Sequence, residues 1–360
     1  MIYRTYGATG KKISMLGFGG MRFSKVDDID ACVAMMVEAA RGGVNYFDTA
    51  PAYFGVKSEI AFGHGFAALK AEKLPFYSST KTFSSTETEI RREIEGQLGR
   101  LGIPKIDFYH VWCITDLGGW KERKKNGVVD TFRKLKEEGL IGHIAVSSHL
   151  IRDEIKELLM EGVFEGVLFG YSAYNFNARE AAFEAIAAKK LGCVVMNPLG
   201  GGLIPQNPSV FNFIRTKKDQ DLVEAALHFL FSQERITCSL VGFSDIAQVR
   251  EALGAVKSFE PISGHEMARI RKDAGEAFQD MCTGCGYCDE CPESIPIPKL
   301  MDAYNHKKLY GNDKAITDRL KWHWSLSAAE ARKCTACAHC EELCTQHLPI
   351  VARMAEIGKM

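Results

Sequence analysis

Up to about residue 260 the chain alternates short β-branched or aromatic runs with longer amphipathic stretches, and eight such strand-then-helix units can be counted. A helix after every strand carries the chain back to the same end of the sheet, so the pattern calls for a parallel sheet covered by helices. Strands are expected around Leu16 to Gly19, Val44 to Asp48, Phe76 to Thr80, Ile106 to Val111, Ile141 to Ser147, Gly166 to Phe169, Cys193 to Met196 and Ser239 to Gly242. The clearest helices run from Ile29 to Ala40, Glu87 to Leu101, Val128 to Glu138, Arg179 to Lys190, Leu222 to Phe231 and Ala247 to Val256, the second opened by the capping box Thr86-Glu-Thr-Glu89. Eight units close a (β/α)8 TIM barrel, which sets the class as α/β. An open doubly wound sheet is the alternative, but no GxGxxG stands at a strand-to-helix turn, and Gly17-Phe-Gly-Gly20 is too short and too early. The lead-in Ile13 to Gly17, preceded by Gly-Ala-Thr-Gly10, also permits a small hairpin across the barrel bottom.

Beyond the barrel, eight cysteines fall in two runs, Cys282-Thr-Gly-Cys285-Gly-Tyr-Cys288-Asp-Glu-Cys291-Pro and Cys334-Thr-Ala-Cys337-Ala-His-Cys340-Glu-Glu-Leu-Cys344. Three thiolates two residues apart can wrap one iron-sulfur cubane, with a fourth Cys closing the same cluster or reaching the next. Eight cysteines therefore supply two [4Fe-4S] clusters. Structural zinc draws a pair of ligands from each of two separated turns, which these tight runs do not resemble. Disulfides are disfavoured because Cys-x-x-Cys pairs without a secretory signal belong to a reducing compartment. Cys32, Cys113, Cys193 and Cys238 lie in barrel elements and read as small buried apolar residues, with Cys113 placed to line a pocket.

The N-terminus has no apolar leader, and no stretch approaches the roughly 18 apolar residues of a membrane span, so a cytoplasmic, membrane-free protein is expected. With 45 basic and 45 acidic residues there is no broad positive field, which argues against a nucleic-acid partner. A linker and helix are expected over Pro261 to Gln279, with Ser263-Gly264 at the boundary. The chain thus divides into a barrel at residues 1–262 and a cysteine-rich domain at 263–360.

Catalytic groups of a (β/α)8 barrel sit at the C-terminal strand ends. Asp48, Tyr53 and Lys81 fall there. A tyrosine hydroxyl, with a pKa near 10, acts as an acid at neutral pH only when a neighbouring ammonium favours the phenolate. Lys81 is that ammonium in this reading, Asp48 holds it, and Tyr53 protonates a carbonyl oxygen. A lone Tyr near a strand end more often serves packing.

Tyr3-Arg-Thr-Tyr-Gly-Ala-Thr-Gly10, Leu16-Gly-Phe-Gly-Gly-Met-Arg22, Asn45-Tyr-Phe-Asp-Thr-Ala-Pro-Ala-Tyr53, Ser79-Thr-Lys81, Val146-Ser-Ser-His149, Tyr174-Asn175 and Asn197-Pro-Leu-Gly-Gly-Gly202 together resemble the aldo-keto reductase family. With the cysteine-rich tail, the chain is similar to the iron-sulfur branch of that family. The resemblance implies a (β/α)8 barrel and reversible hydride transfer between NAD(P)H and a carbonyl. It also implies an acid-base set of Asp, Tyr, Lys and His, of which Asp48, Tyr53 and Lys81 are present. Where the family commonly has the His, Asp107-Phe-Tyr-His-Val-Trp112 places Trp112, and His110 lies two residues earlier. Two residues along a strand is roughly 6.6 Å on the same face, so His110 is expected one layer deeper. A bulge would advance it; the plainer reading has Trp112 lining the substrate pocket and His110 hydrogen-bonded in the core.

For the cofactor, the resemblance implies contacts from Ser147, Ser148, Tyr171 and Asn175 around the nicotinamide, with Tyr171 standing where the family has Gln. Pro198, Leu199, Gly200, Gly242, Ser244 and Gln248 line the rest of the implied site. The backbone amides of Ser244 to Ala247, opening a helix, suit a pyrophosphate. Asp245 repels a 2′-phosphate and Arg250 is the one nearby cation, which favours NADH over NADPH. No flavin motif is evident; a barrel can hold an FMN phosphate near Gly200-Gly-Gly202, and flavin is the minor reading.

The tail, with about 40 residues of helical composition between its Cys runs, resembles an α-helical ferredoxin. In ferredoxins the fourth Cys of a run often binds the other cluster, which implies Cys282, Cys285, Cys288 and Cys344 around one cubane and Cys291, Cys334, Cys337 and Cys340 around the second. Thr345 departs from the Pro that often follows the last Cys. Two functions follow: an oxidoreductase acting on a small carbonyl or alcohol with two clusters and a redox partner, or an electron-transfer protein whose barrel is a ligand-binding or docking module. Substrate choice lies in loops such as Thr115 to Asn126, which carry no readable code.

Overall fold

The chain opens with two antiparallel strands, β1 (Tyr3–Thr5) and β2 (Lys12–Ser14), and then winds eight parallel strands into a closed ring. The computed structural model of the chain describes residues 1–275, 278 and 280–360. In ring order these are β3 (Leu16–Gly19), β4 (Tyr46–Asp48), β5 (Tyr77–Thr82), β6 (Ile106–Ile114), β7 (Ile141–Ser148), β8 (Gly166–Gly170), β9 (Gly192–Met196) and β10 (Cys238–Gly242). Closure is made by β10 pairing with β3, from Ser239 opposite Leu16 to Gly242 opposite Gly19. The first seven long helices between them are α1 (Ile29–Arg41), α2 (Lys57–Ala71), α3 (Glu87–Leu101), α4 (Leu117–Lys125), α5 (Val128–Glu137), α6 (Arg152–Met160) and α7 (Ala182–Lys189). Helices Leu222–Phe231 and Ile246–Lys257 complete the ring.

The barrel interior is filled in layers by alternate residues of each strand. At the bottom, Tyr6 of the β1–β2 hairpin enters and packs tilted against Phe108, ring centroids 4.5 Å apart, fully buried. Gly166 and Gly192, first residues of β8 and β9, make room for it: a Cβ on either would overlap the Tyr6 ring. Above lie Tyr46, Leu168, Val194, Cys238 and Leu240. Outward-facing β5 hydroxyls are met by acids, Ser78 donating to half-buried Asp107 and Thr80 to buried Glu59, so the polar strand costs no unpaired donors there.

Several local expectations need correction. Thr86 does not cap α3 through the backbone; its hydroxyl donates to the Glu89 carboxylate at 2.7 Å instead. The helix expected from Arg179 begins at Ala182, after a 3-10 turn at Asn177–Arg179. Thr115 to Asn126 is no irregular loop: it folds as α4, capped by Asp116, whose carboxylate accepts from the Gly119 amide at 2.6 Å.

By packing, the chain forms two units, residues 1–199 with 214–270, and residues 200–213 with 271–360. The packing division at 270/271 lies within helix Gly264–Ala274, whose Arg269 donates to the Arg215 carbonyl at 2.8 Å inside the first unit. Glu276, Ala277 and Gln279, at the end of the expected linker helix, lie outside the described residues. The second unit is helical, with Ile297–Tyr310, Lys314–Arg319 and Ile350–Ile357 as its main helices. Its core joins Ile295, Leu300, Met301, Leu320, Leu348 and Met354 to Cys288, Cys340 and Cys344. Among the described residues no helix is long and apolar enough to cross a membrane.

Candidate active site and cysteine centres

At the C-terminal ends of β4, β5 and β6 the strand register sets Asp48 beside Ser79 and Lys81 beside His110. Lys81 Nζ donates to Asp48 Oδ2 at 2.6 Å, with both side chains almost wholly buried. Burial pulls the Lys81 ammonium below its ordinary pKa, and Asp48 pulls it part of the way back. A buried ion pair gains little net stability over an apolar substitute, so its value here is electrostatic placement.

Asp48 Oδ1 accepts from the Ser79 hydroxyl at 2.7 Å. Ser79 has one proton to give, so it must accept from the Tyr46 hydroxyl at 3.0 Å and from His110 Nε2 at 3.0 Å. That assigns the proton of His110 to Nε2. Burial, reinforced by the Lys81 charge, holds His110 well below the usual histidine pKa, so the ring is neutral.

Tyr53 stands in the turn after β4, half-buried, its ring centroid 5.7 Å from Lys81 Nζ. Phe54, Gly55 and Val56 follow in left-handed backbone at φ 54°, 57° and 67°. For a β-branched Val this is a strained conformation, of the kind functional sites retain. The Val56 amide donates back to the Pro51 carbonyl at 2.8 Å and closes the turn. Trp112 meets the Tyr53 ring edge to face, with centroids 5.9 Å apart at 87°, and Phe83 stacks on the Trp112 ring at 3.9 Å.

Trp112 therefore occupies the layer of Tyr53, and His110 the layer below. β6 does contain a bulge, but beyond His110: Val111 pairs with Val146 and Ile114 with Ser148, leaving Trp112 and Cys113 opposite Ser147 alone. His110 is not advanced by it. Cys113 takes φ 59° there. Arg123 of α4 donates to the Trp112 carbonyl at 2.6 Å and to the Thr82 and Ser84 carbonyls at 3.2 and 3.3 Å. Ser79, Tyr46 and Arg123 escaped sequence reading, the first two because hydroxyls inside strands form no pattern.

Around the implied cofactor site the placements are mixed. Ser147 is buried at the end of β7, and Ser148 Oγ accepts from the Leu150 amide at 3.2 Å. Asn175 Oδ1 accepts from Ser172 at 2.9 Å, which leaves its amide group as a donor. The Tyr171 ring is enclosed by Phe169, Phe176, Phe183 and Phe229, and its hydroxyl donates to Glu180 at 2.6 Å. Pro198 is buried and Leu199 half-buried after β9, while Gly200 begins the 200–213 segment of the second unit in left-handed backbone. A Cβ at Gly242 would overlap the Arg22 side chain.

At the expected amide cradle, Ser244 to Ala247, one amide is already bonded within the segment. Gln248 Oε1 accepts from the Ser244 amide at 2.9 Å, and Asp245 accepts from the Gln248 amide at 3.0 Å. Arg250 is paired with Glu38 at 2.7 Å.

In the second unit, Cys282, Cys285, Cys288 and Cys344 lie within electrostatic reach of one another. Amides of Gly284 and Leu348 point at the Cys282 and Cys344 sulfurs at 3.4 Å each. Burial raises the Cys282 thiol to about 12. A separate small cavity of about 20 Å³ is lined by Cys291, Cys334, Cys337 and Cys340, with Cys288 also at its wall. Among the described residues no three His, Cys, Asp or Glu side chains converge to hold a single metal ion.

The two runs also form an internal repeat. Cys282, Cys285 and Cys288 answer to Cys334, Cys337 and Cys340, Cys291 to Cys344, and Ile295-Pro-Ile297 to Leu348-Pro-Ile350, with Leu343 the extra residue. Local structure repeats with it: Pro296 and Pro349 precede the two helices at φ −76°, ψ 68° and φ −75°, ψ 70°.

A parallel eight-stranded barrel with a buried Lys–Asp pair and a tyrosine at its strand ends has the form of a barrel oxidoreductase. Residues 15–273 match the Aldo/keto reductase family, and the chain belongs to it. L-galactose dehydrogenase of Arabidopsis thaliana is 28% identical over 289 residues, spanning 72% of this chain and 89% of its own. Pyridoxine 4-dehydrogenase of Escherichia coli is 21% identical, spanning 71% and 94%. Among solved structures, a Bacillus halodurans aldo-keto reductase in its holo form superposes with a TM-score of 0.67 at 24% identity, covering 76% of this chain and 97% of its own. The chain is accordingly an oxidoreductase of aldo-keto reductase type that acts on a small molecule.

Proposed function

We propose that the barrel interconverts a carbonyl and an alcohol using NADH, with Tyr53 as the acid-base group. The observation that carries this is the buried Lys81–Asp48 pair, 2.6 Å long, with its ammonium facing the Tyr53 ring. The positive charge favours the phenolate and so makes the Tyr53 hydroxyl a better proton donor. In reduction Tyr53 gives its proton to the carbonyl oxygen; in oxidation its phenolate takes the proton from the alcohol. Nicotinamide, when bound, supplies or accepts the hydride at the carbonyl carbon. Neutral His110 acts through Ser79 and Asp48, while Trp112 and Phe83 offer the substrate a flat apolar wall. Ser147 and the Asn175 amide suit the carboxamide end of the cofactor. Asp245 at the helix start and the Arg250–Glu38 pair disfavour a 2′-phosphate, hence NADH over NADPH.

For residues 263–360, whose cysteine-rich part lies in the second unit, we propose a ferredoxin-like domain with two [4Fe-4S] clusters, one at Cys282, Cys285, Cys288 and Cys344 and one at Cys291, Cys334, Cys337 and Cys340. Two separate gatherings of four thiols support this. A zinc ion draws its donors to one point about 2.3 Å away, whereas a cubane holds four thiolates at four separate corners, which suits thiols that share a cavity without converging. Such clusters carry single electrons, which implies a redox partner protein. Twelve unbridged cysteines suit a reducing, cytoplasmic setting.

A second reading, an electron carrier whose barrel has lost hydride chemistry, is favoured by the self-capped amides at Ser244 and Gln248. The test is calorimetric titration of the reconstituted protein with NADH and NADPH, alongside turnover of Tyr53→Phe. NADH binding, with turnover falling by about 10²–10⁴ in Tyr53→Phe at unchanged NADH affinity, is expected. Unchanged turnover would remove Tyr53 from the chemistry, and binding of neither nucleotide would favour the second reading.

A further inference from the structure

The repeat in the second unit is broken at one position that carries charge. Setting Ile295-Pro-Ile297 against Leu348-Pro-Ile350 places Leu300 opposite Arg353. Leu300 is an ordinary core residue, fully buried. Arg353, on helix Ile350–Ile357, is 4% exposed, which is unusual for a guanidinium. One of its terminal nitrogens donates to the Asp280 carbonyl at 2.7 Å, and its face covers the Tyr304 ring at 4.7 Å. The other, Nη1, is buried without a hydrogen-bond partner among the described residues. The groups whose charge it senses are Tyr304, Asp280, Cys282 and Cys344.

An unpaired buried donor on a permanent cation is costly unless an anion completes it. Two of those four groups are thiols of one cluster set. Four thiolates around a cubane leave a net negative charge that grows on reduction, and net charge and hydrogen bonding near the sulfurs set the potential. We propose that Arg353 is the internal counter-charge of the cluster at Cys282, Cys285, Cys288 and Cys344, raising the reduction potential of that cluster and not of its twin. The inference rests on the two-cluster reading above. At the twin site the repeat supplies Leu300 in place of Arg353, and the charged residues at that cavity wall are the acids Glu290 and Glu293.

The test is a redox titration of the anaerobically reconstituted full chain, followed by electron paramagnetic resonance, after iron analysis of each protein. Arg353→Gln keeps donors and removes the charge; Arg353→Met removes both; Arg353→Lys keeps the charge. With both clusters loaded, the neutral variants should lower one midpoint by at least a tenfold change in the one-electron equilibrium, ~59 mV, and leave the other in place. Arg353→Lys should restore most of the shift. Unchanged midpoints in Arg353→Gln overturn the proposal, as do equal shifts in both clusters or a Lys variant as low as Met, which would assign the effect to packing. Should Arg353→Met not load, Arg353→Gln against Arg353→Lys decides alone. Wild-type protein that takes up no iron and sulfide defeats the cluster reading itself, and iron analysis registers that before any midpoint is taken.

Discussion

Ser79 is the residue on which the buried chemistry turns, since its single hydroxyl links Asp48, Tyr46 and His110. It makes His110 part of the foundation of Lys81, while burial and the Lys81 charge keep the imidazole neutral. A pH dependence follows. The folded His110 pKa lies well below 6.5, so below about pH 6.5 the unfolded chain binds a proton that the folded one refuses. Stability is therefore full above that pH and falls as pH drops, by up to ~1.4 kcal/mol per pH unit for this one group, until the folded pKa is reached. Urea midpoints of the barrel transition at pH 7.5 and 5.5 should separate strongly in wild type and by less in His110→Gln; equal separations would mean the imidazole already protonates in place. That Asp48, Tyr53 and Lys81 lie together was legible because all three fall at the ends of neighbouring barrel strands. The depth of His110 was legible from period-two alternation alone. Ser79 was not, because a serine in a strand looks like any other polar residue until its neighbours on two other strands are known.

Among the elements, β6 and α4 act as one device. The bulge at Trp112–Cys113 takes the Trp112 carbonyl out of the ladder, and Arg123 collects it together with the Thr82 and Ser84 carbonyls. One guanidinium thus fixes the segment after β5, which carries Phe83, to the strand that carries Trp112. Arg123→Met should cost roughly 1.5–3 kcal/mol of transition-state binding, about 10–100-fold in kcat/KM, with NADH affinity unchanged. Arg123→Lys should not rescue it, since one ammonium cannot span three carbonyls as a planar fork does; full rescue would show that charge alone suffices. The eight strands and six of the barrel helices were readable, but α2, α4 and α6 were not. Gly63 and Gly65 dilute the helical pattern of α2, yet they are needed: a Cβ at Gly63 would strike the Arg100 carbonyl, and one at Gly65 the Met36 sulfur. Close helix approach erased the signal by which α2 would have been found. In α4 the apolar face reduces to Trp120, too little for a period to register.

For the molecule as a whole, the two units differ in what holds them. The first has a closed barrel with continuous hydrogen-bonded rings and a filled interior. The second has fewer than half as many residues, and its core relies on cysteines: Cys288, Cys340 and Cys344 are buried in it among aliphatic side chains. A unit of this size buries a smaller share of its surface and depends more on covalent or metal staples. If two clusters are resident, their binding energy is folding energy for that unit and not for the barrel. Stripping iron from the full chain with a chelator under reducing conditions should then expose the helices Ile297–Tyr310 and Ile350–Ile357 to fast hydrogen exchange. Barrel strands β3 to β10 should keep their protection, and thermal unfolding should split into an early and a late step. Retained protection in both helices after complete iron loss would mean that the aliphatic core suffices, and that the thiols there are packing residues first. Loss of protection throughout both units would mean that the barrel depends on its cysteine-rich partner, and the two could no longer be treated as separate folding units.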